Sequence, residues 1–178
     1  MYLSSIAIAS ALAHANAQPF GLKGLFGIKA GFYTPSSGAL RDALGDRWFS
    51  FGVGRVRPEA KLGWRTGPDL EIIKHTRGAN KAAFVSPSFV ISRDFGTEGA
   101  KSFPYISAGA GLSYFDYTLT RGGLTDSVKR LGPSAHLQAG YVFEGRFFVS
   151  LRYNIMPSYD GYGFSGLNLS VGYGFIRF

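Results

Sequence analysis

The amino-acid sequence predicts an all-β protein, an eight-stranded antiparallel up-and-down transmembrane β-barrel. Three observations predict it. Apolar residues recur at every second position over long segments. In SGLNLSVGYGFIRF (165–178), Leu167, Leu169, Val171, Tyr173 and Phe175 share one face of an extended strand, and Asn168, Ser170, Gly172 and Gly174 share the other. Charged residues are only 17% of the chain, with 25 glycines and 16% aromatics, where an ordinary soluble domain carries roughly 25% charge. A lipid-facing surface requires that deficit. Mean hydropathy is nonetheless near zero, because apolar and polar positions alternate and cancel.

From the N-terminus, Leu3 to Ala13 is a short apolar core followed by Ala15-Asn16-Ala17 and Gln18. This is the small-x-small pattern of a cleaved export signal, with cleavage assigned to Ala15, Ala17 and Gln18. Residues 1–17 are therefore expected to be removed, leaving a single barrel domain over 18–178. No Lys or Arg precedes the core. After this segment no apolar run approaches the ~20 residues of a membrane-spanning helix.

The first strand is Leu25 to Thr34, with Phe26, Ile28, Ala30 and Phe32 opposite Gly27, Lys29, Gly31 and Tyr33. The second is Arg57 to Thr66, closed by a Gly67-Pro68-Asp69 turn that leads into Leu70 to Arg77. Phe49, Phe51 and Val53 also alternate, so the second strand could begin earlier or the first loop could fold as a hairpin. Ala82 to Arg93 alternates as well, although Pro87 cannot donate to a ladder, and this calls for a bulge or a local gap. The later strands are Phe103 to Tyr117, Ser134 to Phe143, Arg146 to Met156 and 165–178. Glu144-Gly145-Arg146 is a hairpin-length turn. Counted from a periplasmic N-terminus, the long outward loops are 35–56, 118–133 and 157–164, and 78–81 is short.

A sheet in hydrocarbon must close on itself to satisfy its backbone polar groups, and eight strands leave an interior just wide enough to be filled by side chains. Tyr33, Tyr114, Tyr117, Tyr141, Tyr153, Tyr159, Tyr162 and Tyr173, with Trp48 and Trp64, are expected in aromatic girdles. Glu59, Lys61, Arg65, Glu71, His136, Gln138 and Arg152 are expected to form a hydrogen-bonded lumen network, since a charge on the lipid face costs about 2–4 kcal/mol at the midplane.

The chain has no cysteine, which removes disulfides and thiolate chemistry. A net charge of +8 attracts anions. The basic residues are scattered, so nucleic acid is not an expected partner; outer-membrane lipid and lipopolysaccharide are. The expected state is a monomer.

PYISAGAGLSYF (104–115), HLQAGYVFEGRFFVSLRYN (136–154) and GLNLSVGYGFIRF (166–178) resemble small outer-membrane β-barrels of the OmpA-like and OmpW-like families. The resemblance implies an outer-membrane location and a last strand read by the barrel-assembly machinery through Tyr173, Phe175 and the terminal Phe178. Counting back by twos from Phe178 gives Ile176, Gly174 and Gly172, out of phase with the large apolar residues. A bulge near 172–174 would reconcile the two.

Neither His75 nor His136 has the His-x-Ser spacing of the lipid A deacylase barrels. The histidines have no metal-ligand spacing with Asp116, Asp126 or Asp160. SYDGYG (158–163) offers one carboxylate, too few for a calcium loop. The glycines around 109–111 lack the Lys-Ser/Thr of a phosphate loop. No catalytic residue, metal or cofactor is assigned. The expected role is non-enzymatic: structural, adhesive, or a narrow path for small solutes. The alternatives are a lipid A-modifying barrel enzyme and a secreted soluble barrel holding an apolar ligand.

Overall fold

The computed structural model describes residues 25–121 and 124–177. Ala15, Ala17 and Gln18, the expected export-signal cleavage positions, and Phe178 of the expected assembly signal lie outside the described residues. The elements are β1 (Leu25–Pro35), α1 (Gly38–Leu44), β2 (Trp48–Val56), β3 (Trp64–Arg77), β4 (Asn80–Asp94), β5 (Phe103–Arg121) and β6 (Leu124–Phe143). They are followed by β7 (Phe147–Ile155), the two-residue strands β8 (Ser158–Tyr159) and β9 (Tyr162–Gly163), and β10 (Gly166–Arg177). Eight antiparallel strands, β1–β7 and β10, close into one barrel in which every strand pairs with its sequence neighbour and β10 returns to β1. The predicted fold class is the observed one.

Alternation sorts the side chains as the sequence requires. Ile28, Phe32, Leu137, Leu151, Leu169 and Val171 point outward, and the last is 63% exposed. Lys29, Ser50, Glu71, Ser113, Ser150, Arg152, Asn168 and Ser170 are buried inside. A water-soluble molecule would invert this pattern, and a transmembrane barrel presents it. Three of the expected girdle aromatics, Tyr33, Trp48 and Tyr117, are instead fully buried in the interior, and Tyr159 and Tyr162 pack partly buried against the same cluster. Trp64, Tyr114, Tyr141 and Tyr153 do face out.

The second strand is not Arg57 to Thr66. Residues 48–56 form it, pairing with β1 from Tyr33↔Trp48 to Leu25↔Val56. Residues 57–63, broken by Pro58 and by Gly63 at φ +92°, connect it to β3. Gly67-Pro68-Asp69 is not a turn; the three residues sit within β3 and pair with Val90, Phe89 and Ser88 of β4. Long-range pairing has overridden a local turn signature. The supposed loop 118–133 is mostly ladder, since β5 and β6 pair continuously from Phe103↔Val142 to Arg121↔Leu124.

The Pro87 problem is solved by a gap. The β4–β5 register holds from Val85↔Tyr114 to Ser88↔Gly111, but Ser86 and Pro87 make no rung there. A hydrogen bond of 2.7 Å between Ser86 Oγ and Ser113 Oγ spans the gap. Proline is tolerated where no ladder donor is needed. In β10 the register slips opposite Phe26 and Gly27, pairing them with Ile176 and Gly174, so that Phe175 is the extra residue of a bulge. The bulge lies one residue beyond the expected 172–174.

At one end the connections are short and mutually hydrogen-bonded. Ala60 N–H donates to Ala100 O (2.7 Å), Gly99 N–H to Ala60 O (2.9 Å) and Gly145 N–H to Lys101 O (2.6 Å). Glu144 and Gly145 both have positive φ, and a Cβ at Gly145 would lie 1.9 Å from Pro58 O. Gly145→Ala therefore combines left-handed backbone strain with a collision against main chain. It is expected to cost about 1–3 kcal/mol, read as a lowered urea midpoint for unfolding from lipid vesicles. The opposite end carries α1, the β5–β6 hairpin and the β8–β9 ribbon, whose Asp160-Gly161 turn has positive φ at both residues, as a type I′ hairpin needs.

Candidate functional site

The lumen is the site, and it is layered. At the end with short connections, Asp94 is fully buried and takes Arg57 Nε at 3.1 Å and Arg65 Nη2 at 3.0 Å. Arg57 lies over the Tyr105 ring, 4.1 Å from its centroid. Ala60, Phe103, Tyr105 and Val142 pack together beside them.

In the middle, strands β1, β3, β6, β7 and β10 converge on an ionic cluster. Lys29 Nζ contacts Asp69 Oδ1 at 2.9 Å, and Arg152 Nη2 contacts Asp69 Oδ2 at 2.7 Å. Arg152 Nη1 lies 3.4 Å from Glu71 Oε2. Glu71 also accepts from Asn154 Nδ2 (3.0 Å) and Asn168 Nδ2, and Ser50 Oγ donates to Asn168 Oδ1 (2.9 Å). Gln138 Oε1 accepts from Arg152 Nε (3.0 Å), while Gln138 Nε2 donates to the Tyr105 hydroxyl (2.8 Å). Such a cluster is costly to desolvate, and satisfying its donors and acceptors is what makes it tolerable. Small inward residues make room for it. A Cβ on Gly52 would meet Lys29 Cε at 2.3 Å, and one on Gly54 would meet Asp69 Oδ1 at 2.4 Å.

Above the ions the interior turns apolar. Tyr33, Leu40, Leu44, Trp48, Ile73, Phe84, Phe115, Tyr117, Met156 and Phe164 form one buried cluster. Leu40 and Leu44, one helical turn apart on α1, plug the barrel mouth. Phe164, in the short connection from β9 to β10, packs its ring 5.1–5.3 Å from those of Tyr117, Phe84 and Phe115. The Tyr33 hydroxyl donates to Phe164 O, and Trp48 stacks on His75 at 5.9 Å with an interplanar angle of 8°.

Of the residues expected to form the lumen network, Glu71, Gln138 and Arg152 meet in the ionic cluster, and Arg65 sits at the mouth below it. His136 is buried on the inner face against Gly109, and its Nε2 has no hydrogen-bond partner among the described residues. Glu59 and Lys61 are exposed on the 57–63 connection outside the barrel wall, because that segment is a turn rather than a strand. Tyr173 and Phe175 lie on β10, with the Tyr173 ring 4.8 Å from that of Phe147. Asp69 and Asp94 were not legible as network members. Reading 64–77 as one strand places Asp69 and Glu71 on the same face, and that parity was the available signal. Among the described residues no cluster of three or more His, Asp or Glu is placed to hold a metal ion, and no Ser or Thr hydroxyl is hydrogen-bonded to His75 or His136.

No protein-family model and no curated protein sequence matches the chain. Solved structures do. The N-terminal β-barrel domain of Pseudomonas aeruginosa OprF aligns with a TM-score of 0.59 at 16% identity, over 86% of this chain and 98% of that one. Neisserial surface protein A aligns at 0.55 and 18% identity, over 86% and 96%. The outer membrane enzyme PagL aligns at 0.53 and 14% identity, over 84% and 99%. The fold is thus shared with the OprF barrel domain, with Neisserial surface protein A and with an outer membrane enzyme.

Proposed function

We propose that this chain is an integral outer-membrane protein with a closed lumen, whose work is done on its surfaces and not by conduction or catalysis. The observation that carries this reading is the double occlusion of the lumen by the Asp69–Arg152–Glu71 cluster and the Phe164-centred aromatic core. A permeant solute would have to displace both. In this reading the short connections face the periplasm. α1 and the β5–β6 hairpin face outward, where Thr118, Thr120, Thr125 and Ser127 pair their hydroxyls across the hairpin at 3.0–3.3 Å. That stiff ribbon suits an adhesive or structural role.

The second reading is a lipid A-modifying enzyme, since the fold is shared with the outer membrane enzyme PagL, and lipid A mass spectrometry with and without the protein separates the two. The primary test is planar-bilayer recording of the refolded chain. Absence of steady single-channel currents is expected, and large steady currents would exclude the closed form. Heat-modifiable mobility in an outer-membrane fraction tests the location.

A further inference from the structure

The β5–β6 hairpin outruns its neighbours. The β4–β5 ladder ends at Lys81↔Thr118 and the β6–β7 ladder at Ala135↔Ile155, whereas β5 and β6 stay paired to Arg121↔Leu124. Above these rungs β6 has a neighbouring strand on one side alone. On the β5 side the free edge of the hairpin is capped, since Thr120 N–H donates to Asn80 Oδ1 at 2.8 Å. On the β6 side, among the described residues, no hydrogen bond outside the β5–β6 ladder reaches the main chain of 125–131. The β8–β9 ribbon does not cover this edge. Tyr159 packs under the Arg130 guanidinium, 5.2 Å away, on the inward side of the strand, and Thr125, Ser127, Lys129 and Leu131 are exposed.

The phase of the edge follows from the ladder. Opposite residues of an antiparallel pair exchange both main-chain hydrogen bonds or neither. Thr120 spends its N–H on Asn80, so Thr120↔Thr125 is a pair that exchanges neither. Thr125 and every second residue after it, Ser127, Lys129 and Leu131, therefore aim N–H and C=O away from β5. Pro133 falls in the same phase, where a residue without an N–H costs the β5–β6 ladder nothing. Unpaired main-chain groups are excluded from hydrocarbon, so this edge stands in water beyond the membrane. Its alternating donors and acceptors are a template for one more strand. The outward face beside it carries the exposed Lys74, Lys81 and Lys129 against one carboxylate, Asp116, among the described side chains of β3–β6 at this end. That balance favours an acidic occupant. On the reading that the hairpin faces outward as an adhesive surface, we infer that this edge takes up an extended segment of another protein as an added strand, with carboxylates at alternate positions.

The full chain, refolded in non-ionic detergent micelles, is titrated with a short labelled peptide alternating Glu and Val, and with its counterpart alternating Lys and Val. Saturable binding of the acidic peptide, at least tenfold tighter than the basic one, is expected by fluorescence anisotropy. Amide hydrogen exchange then reports the mode. The amides of Thr125, Ser127, Lys129 and Leu131 should slow at least tenfold on binding, and those of Val128 and Arg130, already held by β5, should not. Ser127→Pro removes one edge N–H where proline is tolerated and should weaken binding at least tenfold, whereas Ser127→Ala keeps that N–H and should bind as the native chain does. Lys129→Glu should reverse the preference between the two peptides. Absence of saturable binding, protection without the alternation, or undiminished binding in a folded Ser127→Pro variant overturns the inference. Slow exchange of the same amides without peptide, in a chain that sediments as a dimer, assigns the edge to a second copy and also overturns it. None of these measurements needs a bilayer, so failure of the outer-membrane location in the fractionation test is read separately from failure of the edge to bind.

Discussion

Arg152→Met is expected to lower the stability of the barrel by about 3–5 kcal/mol, the cost of removing one partner from a buried ion pair. Arg152 is buried with contacts to Asp69, Glu71 and Gln138. Its loss leaves Lys29 on Asp69, but Glu71 keeps only the amides of Asn154 and Asn168. The measurement is the urea midpoint for unfolding from lipid vesicles. Because Glu71 becomes the orphan, the double variant Arg152→Met with Glu71→Gln should recover part of the loss. If it is no more stable than the single variant, the cost lies in packing and not in the stranded carboxylate.

Phe164→Ala is expected to cost about 3–5 kcal/mol, in the range for emptying a buried aromatic site. Phe164 is fully buried at the centre of the ring cluster and is delivered by a connection, not by a barrel strand. Relaxation of the closed sheet cannot fill the void, because the strands that line it are fixed by their ladders. Phe164→Leu keeps much of the volume and should recover a substantial part. A loss below about 1 kcal/mol for the alanine variant would show that the connection does not pack there in solution.

The strands from 103 onward were legible because alternation there is strict and local. Ile106 to Tyr114, Leu137 to Phe143 and Phe147 to Ile155 each keep one phase, and the ladder preserves it. The stretch from 35 to 77 was misread because two local signals conflict with the long-range pairing. Gly67-Pro68-Asp69 has turn composition, but β4 supplies partners along the whole of Trp64–Arg77. GALRDAL forms a helix whose amphipathic spacing, Leu40 with Leu44, is too short to stand out in an otherwise alternating chain. The candidate network was half legible for the same reason. Residues on unbroken strands, such as Gln138 and Arg152, could be assigned to the interior by parity. Asp69 was hidden by the false turn, and Asp94, in phase with the buried Ser86 and Ser92, lies one residue past the strand end expected at Arg93.

Stacking a salt-bridged layer beneath a greasy one gives this barrel two seals of opposite chemistry in series. Because the first is buried, salt screens it little, while an apolar solvent or a truncated aromatic would loosen only the second. Neither Arg152→Met nor Phe164→Ala should leak ions by itself, and leakage should emerge only when both are combined.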